Sequence, residues 1–87
     1  MEYKLDGNAA AGILQAIFPF EMTMAQITCT GCGTTMAMGA TDAYMHGMGT
    51  VLRCPISDTV LIRVAQIKGR YFLDMRGVQV LQISVEA

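Results

Sequence analysis

Two short cysteine turns stand on either side of a stretch that reads as a hairpin. Cys29-Thr30-Gly31-Cys32-Gly33 comes first, and Arg53-Cys54-Pro55-Ile56-Ser57-Asp58 follows, with twenty-one residues between Cys32 and Cys54. Two Cys-x-x-Cys knuckles at about that separation are the spacing of a four-thiolate structural zinc site, since a two-residue gap lets both sulfurs of one turn address the same ion. Glycine after Cys32 permits a tight turn and leaves backbone amides to donate to sulfur, and proline after Cys54 fixes the second turn. The first knuckle is complete. The second keeps its cysteine and proline but carries Ser57 where the fourth thiolate would stand.

The fourth donor therefore has to be found elsewhere. Ser57 is in the right place but is a poor zinc donor, because its hydroxyl would have to ionise. Asp58, one residue on, carries a carboxylate that zinc accepts at about 2.0–2.2 Å. The expected ligand set is thus Cys29, Cys32, Cys54 and Asp58, with water or a group from another chain as further candidates for the last position. His46 is the only histidine. If residues 47–49 form the hairpin turn, Thr41 falls opposite Cys54. His46 then lies on the order of 16 Å up the hairpin at about 3.3 Å per residue, too far to reach the ion. The competing reading is a site that has lost its metal, leaving three thiols as small apolar packing groups.

The rest of the chain bounds what such a site can be part of. Its 87 residues make one domain, 1–87, small enough that a metal staple or a partner subunit would help it fold. An apolar fraction of 53% against 15% charged excludes a disordered tail and leaves apolar surface to be buried between chains. A formal charge of −1 with six basic residues gives no footprint for nucleic acid or an anionic membrane. The apolar run 9–20 is broken by Gly12, Gln15 and Pro19 and is too short to span a bilayer. Glu2 and Asp6 flank it, and no small-residue cleavage site follows, against a signal peptide. Three cysteines make an odd number, so reduced thiols in the cytoplasm fit better than a disulfide framework.

The expected fold class is α+β, mainly β: an N-terminal helix followed by an antiparallel zinc-ribbon-like meander. Residues 1–5 read as a loose lead-in. Asp6 or Asn8 caps a helix whose apolar stripe is Ile13, Leu14, Ile17 and Phe18, ended by Pro19 and packed across the sheet. From Met22 to Ile27 the period is two. A run of small residues fills the space from Gly33 to Ala40. Strands are expected over 41–46, 50–53, 59–67, 71–76 and 78–85, with turns at 47–49, 68–70 and Gly77. The phase of the last strand slips between Val80 and Leu81, where a bulge would restore its facing.

The stretches 5–12 (Leu5-Asp6-Gly7-Asn8-Ala9-Ala10-Ala11-Gly12), Cys29-Thr30-Gly31-Cys32-Gly33, Arg53-Cys54-Pro55, Leu61-Ile62-Arg63-Val64 and Leu73-Asp74-Met75-Arg76-Gly77 resemble a small bacterial family of uncharacterised proteins with a zinc-ribbon-like core. The resemblance covers nearly the whole chain. It implies the architecture and a metal, and no activity. Members of that family end the second knuckle in cysteine, and this chain departs from them at Ser57.

Four functions are open to such a chain. The first is a structural ribbon that binds another protein or itself, supported by low charge, surplus apolar surface and the lack of any nucleophile–base pair built on one distant histidine. It is not expected to be an enzyme. An outer strand such as 78–85 would then pair with its counterpart in a homo-oligomer. The second is weak nucleic-acid binding through Arg53, Arg63, Arg70 and Arg76 with Tyr71 and Phe72, opposed by the seven acidic residues. The third, electron transfer at a rubredoxin-like iron, lacks its fourth thiolate. The fourth is copper binding by Met22-x-Met24, Met36-x-Met38 and 45–48, where spacing by two more simply lines methionines along one buried face.

Overall fold

Between the cysteine turns, the hairpin forms the middle of a five-stranded antiparallel sheet. In the computed structural model, which describes residues 4–47 and 49–85, the strands are β1 (Lys4–Asp6), β2 (Gln26–Cys29), β3 (Thr35–Ala37), β4 (Asp42–His46), β5 (Gly49–Arg53), β6 (Val60–Ile67), β7 (Arg70–Asp74) and β8 (Val78–Gln82). One sheet runs β1-β4-β5-β6-β7 and the other β3-β2-β8. Among the described residues α1 (Ala11–Ile17) is the one α-helix, and the protein is α+β and mainly β, as its residue pattern implies. Among the described residues no helix is long and apolar enough to cross a membrane.

Asp6 caps not α1 itself but a 3-10 turn over Gly7–Ala10 that leads into it, its carboxylate accepting from the Asn8 amide at 3.1 Å, while Ala10 at the start of α1 makes no side-chain cap. Phe18 is extended at the C-terminal end, the conformation that a following proline imposes. Leu14 is buried, and Ile13, Ile17 and Phe18 pack against the core beside it. Strands of both sheets feed that core: Ile27 and Cys29 from β2, Ala43 and Leu52 from the central hairpin, Leu61, Ile62 and Val64 from β6.

The meander holds for β4 to β7. Its first hairpin has the register Asp42↔Arg53 through His46↔Gly49, which continues to Thr41 opposite Cys54. Met48, part of the expected turn, lies outside the described residues, as do residues 1–3 of the expected lead-in. The lead-in is in part a strand, since β1 pairs with β4. Between β6 and β7 the turn is Lys68-Gly69 with φ of 51° and 77°, the two left-handed residues of a type I′ hairpin. A bulge where Leu52 and Arg53 meet Ile62 and Val60 turns the adjacent Leu61 and Ile62 both into the core.

Three further parts of the chain differ from the expectation. After Gly77 the chain does not add a fifth meander strand. Instead β8 crosses to the second sheet and pairs with β2. The backbone of Gly77 lies against Val60 and Leu61 at this crossing, with no room for a side chain. The slip in β8 is real but falls one residue early: Thr28 pairs with Val80 and Cys29 with Val78, so Gln79 is the extra residue and Leu81 regains the inner face. The small-residue run before Ala40 also contains a strand, β3, held to β2 partly by the Thr28–Thr35 hydroxyl pair at 2.8 Å. Finally, Met22–Met24 is a 3-10 turn rather than a strand. It buries Met22 and leaves Met24 72% exposed, so these two methionines do not share a face.

Candidate metal centre

The two sheets meet at the cysteine turns. Cys29 ends β2, Cys32 follows in the loop to β3, and Cys54 comes directly after β5, on the other sheet. Their three sulfurs all lie within 4.8 Å of one another, and Cys32 Sγ is 3.7 Å from Cys54 Sγ. Cys29 and Cys54 are buried and Cys32 is exposed, so the group is anchored in the core and opens at one side.

The turns are built alike. In the first, the Gly33 amide donates to the Cys29 carbonyl at 2.8 Å and the Cys29 amide to the Thr34 carbonyl at 2.9 Å. In the second, Asp58 donates to the Cys54 carbonyl at 2.8 Å and Cys54 to the Thr59 carbonyl at 2.9 Å. Each turn needs a left-handed residue at its fifth position, filled by Gly33 (φ 74°) and by Asp58 (φ 61°). Superposed in this way, Cys29 matches Cys54 and Cys32 matches Ser57. The turns also touch, since Gly31 lies against the Thr59 and Ser57 hydroxyls where a Cβ would collide with Thr59.

That correspondence places the remaining candidates. The Ser57 hydroxyl sits 3.5 Å from Cys29 Sγ and 2.8 Å from the Thr59 hydroxyl, at the fourth corner of the group. Asp58 is not part of it. Occupying the glycine-like position of its turn, it turns its carboxylate outward (the side chain is 74% exposed) to within 3.6 Å of Arg53. Arg53 also donates to the Asp58 carbonyl at 3.1 Å and stacks over the Tyr44 ring at 5.8 Å, clamping the second knuckle to the sheet. His46 is likewise outside the group, at the far end of β4.

Donors converge on the sulfurs. The Gly31 amide donates to Cys29 Sγ at 3.3 Å and the Ser57 amide to Cys54 Sγ at 3.5 Å. Burial pushes the Cys29 thiol up, but hydrogen bonds from the Ser57 hydroxyl, the Cys32 and Gly31 amides and the Thr59 hydroxyl outweigh it and bring its pKa down to about 6. Contacts with the Thr34 hydroxyl and amide hold Cys32 below the ordinary thiol value as well. Thiolate is the form that binds metal. The cysteine spacing identifies all three sulfurs, whereas the hydroxyls of Thr34 and Thr59 around them are signalled in the sequence by nothing more than a threonine next to each knuckle.

No curated protein and no solved structure matches this chain. A family model does, over residues 1–86. The chain belongs to DUF6510, a family of unknown function.

Proposed function

We propose that this protein is a small zinc-ribbon-like domain in which Cys29, Cys32 and Cys54 hold one zinc ion as a structural staple, and that it works by contact with other proteins rather than by catalysis. The observation that carries this reading is the sulfur geometry. A tetrahedral zinc with Zn–S bonds of about 2.3 Å has sulfurs about 3.8 Å apart, and Cys32 and Cys54 are 3.7 Å apart. The fourth position is the corner beside Ser57, taken by water or by a donor from outside the chain, since a neutral hydroxyl is a weak ligand. Three thiolates ringed by hydroxyls suit a soft cation. Thiols that must stay reduced for this purpose favour a reducing compartment such as a cytoplasm.

Thiol alkylation with and without zinc tests the proposal. One equivalent of zinc should protect all three cysteines, including the exposed Cys32, and a chelator should restore their reactivity. Cys32 reacting at the same rate in both conditions would overturn it.

A further inference from the structure

We propose that the chain forms a two-fold dimer through the outer edge of β7, two copies of Arg70–Asp74 pairing antiparallel about Phe72; this does not depend on the metal. β7 ends the five-stranded sheet. It carries Tyr71, Phe72 and Leu73 at 39%, 52% and 37% exposure, with no bulge, proline or lysine to blunt it. The other edges are protected in ways that natural sheets use. β1 and β3 are only three residues long, and β8 is bulged at Gln79.

The backbone of β7 is set for such pairing. A two-residue hairpin closes on a hydrogen-bonded pair, here Ile67 and Arg70, and alternation along the ladder then turns the backbone groups of Phe72 and Asp74 toward β6. Those of Tyr71 and Leu73 face outward. With Phe72 on the two-fold axis, Tyr71 of each copy meets Leu73 of the other, so the outward groups satisfy one another and Phe72 meets Phe72 in the closer, non-hydrogen-bonded register. The same register sets Arg70 of one copy against Asp74 of the other, twice, alongside the bond that Asp74 makes with Arg76 of its own chain at 2.6 Å. A register moved by two residues in either direction loses that match of charges, which makes the strand complementary to itself in one alignment.

The side chains agree with this placement. Tyr71 and Leu73 lie on the inner face with Val64, and a second copy would extend the apolar layer that leaves them half covered. Phe72 lies on the outer face beside Ala65. Beyond Asp74 the chain bends in the turn that brings the Val78 amide to the Met75 carbonyl at 3.0 Å, so Arg76 does not extend the ladder.

Sedimentation at micromolar concentration, amide exchange and a charge swap test the proposal together. The wild type should sediment at twice the chain mass of 9.4 kDa. Its Tyr71 and Leu73 amides should exchange about tenfold or more slower than they do on dilution to monomer. Arg70→Asp and Asp74→Arg should each be monomeric, and mixing the two in equal amounts should restore a dimer, because each then meets the opposite charge. A wild type that stays at 9.4 kDa overturns the proposal. So does a dimer whose Tyr71 and Leu73 amides are unprotected, or one that both swaps leave intact. Should a swap variant fail to fold, amide exchange on the wild type decides the question.

Discussion

Replacing Ser57 with cysteine should have opposite effects with and without metal. In the chain alone, Ser57 contributes its hydrogen bond with Thr59 at 2.8 Å and its contact with Cys29 Sγ at 3.5 Å. Losing a partly exposed pair of this kind costs about 1 kcal/mol. For 87 residues, at about 2.1 cal/mol/K per residue, that lowers the melting midpoint by about 5 °C. With zinc the sign reverses. The new sulfur stands where Cys32 stands in the matching turn and completes the fourth corner. If it tightens zinc about a hundredfold, saturating metal adds about 2.8 kcal/mol, leaving a net gain of about 1.8 kcal/mol or roughly 10 °C. The assay is a melting curve of wild type and Ser57→Cys, each in chelator and in excess zinc. A variant that shifts by the same amount in both conditions would refute the matching of Ser57 to Cys32.

Three further outcomes follow from the same geometry. Asp58→Gly puts glycine where the first turn already has Gly33. Zinc content should be unchanged and the midpoint should stay within about 3 °C, because relieved left-handed strain offsets lost chain stiffness; loss of zinc would make the carboxylate the fourth ligand after all. Gly77→Ala should cost about 3 kcal/mol, or about 15 °C, since the added methyl meets the backbone of Val60 and Leu61; a midpoint near wild type would refute the close crossing. The third concerns acid. The Arg76 side chain and amide beside Asp74 hold its pKa down to about 2, from 3.8. A depressed carboxylate stabilises the fold above its unfolded value, and that contribution is lost as pH falls through its folded value. The midpoint difference between wild type and Asp74→Asn should therefore be full above about pH 5 and vanish below about pH 2, and a difference independent of pH would count against the pair.

Local pattern carried much of this structure. Alternation in the strands β4 to β7, the Lys68-Gly69 turn and the paired knuckles are all short-range signals, and each stands close to where its residues place it. What pattern does not carry is the partner of a strand. Nothing in Val78–Gln82 distinguishes pairing with β7 from pairing with β2, and the choice depends on a close backbone approach at Gly77 that only the folded chain reveals. The bulge at Gln79 is read one residue late for a related reason, since periodicity shows that the phase slips but not which residue is skipped. At the site, spacing alone identifies the three sulfurs. The outward turn of Asp58 follows from its left-handed backbone, which its sequence position next to Ser57 does not announce.

The metal content of the purified, tag-free protein tests the central claim most directly. Prepared with excess zinc and without chelator, then freed of unbound metal, it should carry one zinc ion per chain, and Cys54→Ala should carry none and melt no higher than the wild type does in chelator, because binding here is folding free energy. Wild-type protein holding well under one ion per chain would contradict the proposal. Cys29, Cys32 and Cys54 would then be packing groups in a ribbon that folds without metal.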